Sequence, residues 1–127
     1  MDDRTIARNI AGGRMLFGLF MILLPKVLTR FSGDGQTPPQ PYVWWLRAFG
    51  IRDLVLGAGA FQALAGKDDE AAARWVQMGA VADSLDVATA VGFRGDMDQR
   101  GRVGTLAIAA PAAALGWKSW LGLRGKA

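Results

Sequence analysis

Three of the four long apolar segments in this chain carry ionisable side chains in their interiors: Arg14 in the first, Arg52 and Asp53 in the second, Asp83 and Asp86 in the third. In a water-soluble protein such residues need no explanation. In a membrane each costs about 2.5–3.5 kcal/mol at the centre of a helix on insertion scales, so it needs a partner or a purpose. The segments run from about Ile6 to Leu28, Trp44 to Gly66, Ala72 to Phe93 and Val103 to Leu123. Each has roughly 20 residues, enough to cross ~30 Å of hydrocarbon at ~1.5 Å per residue.

None of the four contains 18 consecutive uncharged residues, so the simplest membrane rule is not met. The alternative is a soluble four-helix bundle, which requires a polar stripe on every helix. The fourth segment has no such stripe: Val103 to Trp117 is uncharged on all faces, and Met15 to Pro25 is apolar all round. In the third segment Gln77, Asp83, Ser84 and Asp86 are spread over much of the circumference. All-round apolarity favours lipid as the surroundings. The expected fold is all-α, a four-helix transmembrane up-down bundle, with residues 1–127 forming one integral membrane domain.

The tryptophans fit that picture. Trp44 and Trp45 open the second segment, Trp75 opens the third, and Trp117 and Trp120 close the fourth. Indoles at span ends are expected to anchor the chain at the membrane interface. The connections are polar. Ser32 to Pro41 is rich in Pro and Gly and is expected to be a loop, Lys67 to Glu70 a charged turn, and Arg94 to Arg102 a charged loop. Asp96 and Asp98 lack the spacing and the bidentate Glu of a calcium loop, which leaves a solvated loop as the expectation.

Helical spacing aligns the interior charges with small residues. Ala7, Ala11, Arg14 and Gly18 share one face of the first helix, Gly50, Asp53, Gly57 and Ala60 one face of the second, and Gly79, Asp83, Asp86 and Ala90 one face of the third. Small residues let membrane helices approach closely, so these faces are expected to meet. With alternating helix direction, Arg14, Asp53 and Asp83 come level near mid-depth. The expectation is a buried ionic cluster of Arg14, Arg52, Asp53, Asp83 and Asp86. Arg52, about 100° around from Asp53, either joins it through its long side chain or reaches a neighbouring protein. Three roles are open for the cluster: ion pairing that fixes packing, a relay or polar-substrate site, and a docking surface for a partner subunit.

Other chemistry is thinly represented. The chain has no Cys and no His, which removes thiolate and disulfide chemistry, the usual zinc sites, His-ligated haem and His-based triads. Gly12-Gly13 and Gly57 with Gly59 lack the Gly-Lys-Ser/Thr ending of a phosphate loop. Ser84 has no base of a usual kind, although Asp83 and Asp86 are an acid/base pair in principle. Ala80, Ser84, Ala88 and Gly92 read as a packing stripe, and nothing else points to a substrate pocket. Pro111 is expected to kink the fourth helix or free a carbonyl. No catalytic residue, metal site or cofactor is expected, and the protein reads as non-enzymatic.

The net charge is +4. The cations are scattered among termini and connections without a nucleic-acid motif, so anionic lipid headgroups are the simpler partner. The start, Met1-Asp2-Asp3-Arg4, is acidic before it is basic, and no small-residue cleavage site follows Leu24. The first apolar segment is therefore expected to stay as a span and not to act as a signal peptide. With the N-terminus inside, Arg4, Arg8, Lys67, Arg74, Lys118, Arg124 and Lys126 are cytoplasmic, against Lys26, Arg30, Arg94, Arg100 and Arg102 outside. That excess places both termini in the cytoplasm of a plasma-membrane protein.

The stretch Gly50-Ile51-Arg52-Asp53-Leu54-Val55-Leu56-Gly57, the Asp83/Asp86 pair and the Ala/Gly/Arg-rich style resemble small four-span membrane proteins of actinobacteria. The resemblance covers the whole chain. Proteins of that kind include accessory subunits of larger complexes, such as lipid transport systems of the mycobacterial Mce type. A short chain with almost no extramembrane mass, no cofactor ligands and abundant helix-packing residues makes a non-enzymatic accessory or stabilising subunit, bound to other integral membrane proteins, the leading expectation. The other function expected from the residues is a small proton-coupled or polar-solute transporter using the Asp/Arg cluster.

Overall fold

A computed structural model describes residues 1–32 and 38–126, and the described residues form helices joined by short connections. Helix α1 spans Asp3–Leu23 and starts at an Asp2 cap, whose carboxylate accepts the Thr5 N–H at 2.7 Å. It stops before Pro25. A proline disfavours helical backbone at the residue before it, and Leu24 leaves the helical region with φ −131° and ψ 49°. The first apolar segment, expected to run unbroken to Leu28, is therefore two helices. Pro25 opens the second, α2 (Pro25–Ser32), at the position where its missing N–H does no harm. Along α2, Lys26 and Arg30 are exposed one turn apart while Thr29 is buried.

Helix α3 spans Gln40–Ala65 and has Pro41 in its first turn. Proline is tolerated there, so the loop expected as far as Pro41 ends earlier. Residues 33–37 of that expected loop lie outside the described residues. Helix α4 spans Asp69–Gly92, with the Asp68 carboxylate accepting the Ala71 N–H at 2.9 Å. A single 3₁₀ turn, Arg94–Asp96, leads to α5 (Gln99–Arg124). Asp98 caps α5 by accepting the Gly101 N–H at 2.9 Å. The charged loop expected as far as Arg102 thus ends at Asp98, which is a capping residue, and α5 runs on through Pro111.

Helix α1 packs on α3 and α5, and α4 packs on α5 and α3. The α1–α3 contact is made backbone to backbone. A Cβ on Gly18 would fall 2.5 Å from the Gly50 carbonyl oxygen, and one on Gly57 would fall 2.7 Å from that of Ala11. At the end where α1 begins and α3 finishes, Ala7, Leu64, Ala72, Ala73, Val76 and Leu123 form a dry core. Arg4 closes this end. It donates to the Leu64 and Gly66 carbonyls, both at 2.8 Å, and pairs with Asp69 at 2.8 Å. The carbonyls at the end of α3, which have no partner within the helix, are satisfied in this way.

The bulk is distributed inside out. The buried positions are mostly Ala and Gly, whereas Leu16, Ile51, Val55, Leu85 and Leu121 are exposed. Apolar exposure on this scale marks a surface that meets something other than water. Helices α1, α3 and α5 are long and apolar enough to cross a membrane. Helix α4 has the length, with 24 residues, but is not among them. Gln77, Asp83, Ser84 and Asp86 lower its hydropathy below that of its neighbours.

Candidate functional site

The five interior charges form one chain of ion pairs between α1, α3 and α4. Arg14, on the face of α1 that holds Ala7, Ala11 and Gly18, donates from Nη1 to Asp53 at 2.9 Å and from Nη2 to Asp83. Nη2 also reaches the Gly79 carbonyl at 3.3 Å. A Cβ on Gly79 would lie 3.4 Å from Arg14 Nη2, an ordinary van der Waals distance, so the guanidinium rests directly against this small-residue face. Arg52 joins the cluster through its long side chain. It grips Asp86 in a two-pronged contact, Nη1 to Oδ1 at 3.0 Å and Nη2 to Oδ2 at 2.8 Å, and touches Asp53 at 3.3 Å. Its guanidinium lies over the Phe49 ring, 3.9 Å from the centroid.

The order along the seam is Asp83, Arg14, Asp53, Arg52, Asp86. Burial is deepest at Arg14, Asp53 and Asp83 and shallowest at Arg52, whose side chain is 34% exposed. Alternation of sign lets each buried charge meet an opposite one, which is the condition for keeping ions out of water at all. By formal count, three carboxylates against two guanidinium groups give the seam a charge of −1.

Beyond the seam, away from the apolar core, a half-open cleft runs in between the helices, with the exposed Tyr42 and Trp45 on its outer side. A chamber of about 370 Å³ lies between α1, α3, α4 and α5, with Leu28 of α2 at its rim. Its cause is a mismatch of bulk. Helix α3 presents Tyr42, Trp45 and Phe49 to the chamber, while α5 lines it with Gly101, Gly104, Thr105, Ile108 and Ala109, of which Ile108 alone is bulky. The carboxylates of Asp53, Asp83 and Asp86 form part of the lining, and the two arginines do not. A polar-substrate site at the cluster is one of the roles open from the residues, but the chamber beyond it is not expected. Its only trace in the sequence is the aromatic spacing 42, 45, 49 facing a glycine-containing turn some 55 residues later.

The five tryptophans divide into two groups. Trp44 and Trp45 are exposed and meet edge to face with ring centroids 4.9 Å apart. Trp75, Trp117 and Trp120 are half-buried between helices. The Trp75 ring occupies the space where a Cβ of Gly59 would stand. Trp117 donates its indole N–H to Ser84 Oγ at 2.9 Å, and Trp120 packs on the dry core beneath the Arg124 guanidinium. Ser84 is thereby given a packing contact, and its own hydroxyl donates to the Ala80 carbonyl at 2.8 Å. Neither this bond nor the Arg4 clamp was foreseen, because both join residues far apart in the chain. No protein-family model, curated protein or solved structure matches the chain.

Proposed function

We propose that this protein is a small multi-pass carrier of the plasma membrane, in which the four long helices cross the bilayer up and down with both termini in the cytoplasm. The solute enters the chamber and meets the Asp/Arg seam at mid-depth. One observation carries this reading: a mostly apolar chamber whose lining includes Asp53, Asp83 and Asp86 between the helices. A pocket of that kind, mostly apolar with a few converging polar groups, is the usual form of a small-molecule site. Ionisable groups held inside a membrane-spanning bundle commonly serve solute or proton pathways. The test is uptake of labelled small solutes into proteoliposomes under an imposed pH gradient. The Asp83→Asn and Asp86→Asn variants are expected to abolish uptake while still being recovered folded. Loss of folded protein in both would assign the seam to structure instead.

A second reading, a non-enzymatic accessory subunit of a larger membrane assembly such as a lipid transport system, has its own support. Gly12 and Gly13 have nothing within 4 Å of where a Cβ would stand, unlike the packed Gly18, Gly50 and Gly57. An open small-residue patch of this kind suits the close approach of a helix from another subunit. Mass spectrometry of the native complex extracted in mild detergent decides between a bound partner and a free carrier.

A further inference from the structure

We propose that the chamber binds a lipophilic monocation, a substituted ammonium carrying an aromatic or short alkyl body. Its charge would lie against the Asp53, Asp83 and Asp86 carboxylates and its body between the rings of Phe17, Tyr42, Trp45 and Phe49. This rests on the carrier reading of the chamber and names its substrate class.

Three independent features converge on that chemistry. The first is sign. Among the described residues, the ionisable groups lining the chamber are the three aspartates and the Tyr42 phenol. Arg14 of α1 and Arg52 of α3 stand behind the carboxylates, and α5 contributes no charge to the lining. With two guanidinium groups against three carboxylates, a bound monocation brings the enclosed charge to zero, whereas an anion raises the imbalance to two. In a low-dielectric interior that difference decides which ligand is admitted. The second feature is the wall. Four aromatic residues, Phe17, Tyr42, Trp45 and Phe49, line the one space, Tyr42 and Trp45 on its exposed side, and aromatic linings are where ammonium groups are recognised. One of these rings, Phe49, already carries the Arg52 guanidinium at 3.9 Å. The third is size. About 370 Å³ falls near the lower end of the range for drug-sized ligands, roughly 300–1,000 Å³, and matches a single-ring amine better than a lipid.

The experiment uses the full chain purified in detergent and three probes of similar shape: benzyltrimethylammonium, its uncharged carbon counterpart neopentylbenzene, and the anion phenylacetate. Quenching of tryptophan fluorescence reports occupancy beside Trp45, and calorimetry reports affinity. The cation is expected to bind saturably, the neutral probe at least tenfold more weakly, and the anion not at all. Asp86→Asn, which removes the surplus charge at the most accessible carboxylate, is expected to weaken the cation at least tenfold and leave the neutral probe unchanged. Thr105→Phe, which fills the chamber without touching the seam, is expected to abolish binding of both. It also keeps the test open if Asp86→Asn does not fold.

Equal affinity for the cation and the neutral probe would overturn the proposal. So would a preference for phenylacetate, or cation binding that survives Thr105→Phe. If phenylacetate bound, or neopentylbenzene bound as tightly as the cation, and Thr105→Phe removed that binding, the cation assignment alone would fall and the carrier reading would stand. If none of the three bound and proteoliposomes took up no solute, both would fall together.

Discussion

Arg14 is the residue on which the interior depends most. It is buried, it touches α3 and α4 at once, and it holds two carboxylates that would otherwise repel each other. Breaking a buried pair by removing one partner costs about 3–5 kcal/mol, because the remaining charge is stranded. Arg14→Met is therefore expected to cost at least that much, read as loss of folded protein or a lowered Tm in detergent. Arg14→Lys is expected to recover only part of the loss, since an ammonium is a point charge and lacks the fork that spans Asp53 and Asp83. If Arg14→Met were as stable as the parent, the seam would not be holding the helices together. Asp2 is the opposite case, a fully exposed group with a small, local role. The Thr5 N–H that it caps holds its carboxyl below the ordinary aspartate value of 3.8. A carboxylate lowered in the folded state adds stability above its unfolded pKa, and that stability is lost as pH falls through the folded value. Amide exchange in the first turn of α1 is thus expected to quicken as pH drops below about 3.8, after correction for intrinsic rates. The change should vanish in Asp2→Ala.

Among the helices, the α1–α3 pair is the tightest and the least tolerant. Gly57 opposes the Ala11 carbonyl and the Met15 backbone N–H, neither of which can rotate out of the way. Overpacking costs typically about 1–3 kcal/mol where neighbours can shift. Gly57→Val is expected to reach or exceed the top of that range, because the obstacle is backbone. Gly13→Val, with open space around it, is expected to change stability by less than about 0.5 kcal/mol, the usual span for surface substitutions. A pair of thermal unfolding curves checks both, and equal effects would contradict the packing described. The same close approach positions the seam, since a wider α1–α3 gap would pull Arg14 from Asp53.

At the scale of the molecule, three tiers follow one another along the helices: a dry core with Arg4 at its edge, the ionic seam, and the half-open cleft beneath α2. Small residues inside and large apolar ones outside make sense only if the outer surface is covered. The chain is expected to stay with the membrane pellet through an alkaline carbonate wash and to enter solution only with detergent. Recovery as a soluble monomer from the wash would rule out lipid as its surroundings.

Much of this was written in local spacing. Side chains recur every ~100° around a helix whatever the helix packs against, so the small-residue faces bearing Arg14, Asp53 and Asp83 could be read directly. The same holds for the helical character of each apolar segment. The break at Pro25 and the caps at Asp68 and Asp98 were also readable in kind, since they depend on one or two neighbouring residues, although the segment limits drawn without them ran past the end of α1 and began inside α4 and α5. What tertiary structure alone decided was partnership and emptiness. That Arg52 grips Asp86, that Arg4 closes α3, and that Trp117 meets Ser84 depend on which helices are adjacent and at what axial offset. Adjacency and offset emerge from many small contacts summed over the whole molecule. A chamber depends on them more completely still, because it is volume that no residue fills, and such a gap exists only once distant helices have taken their places.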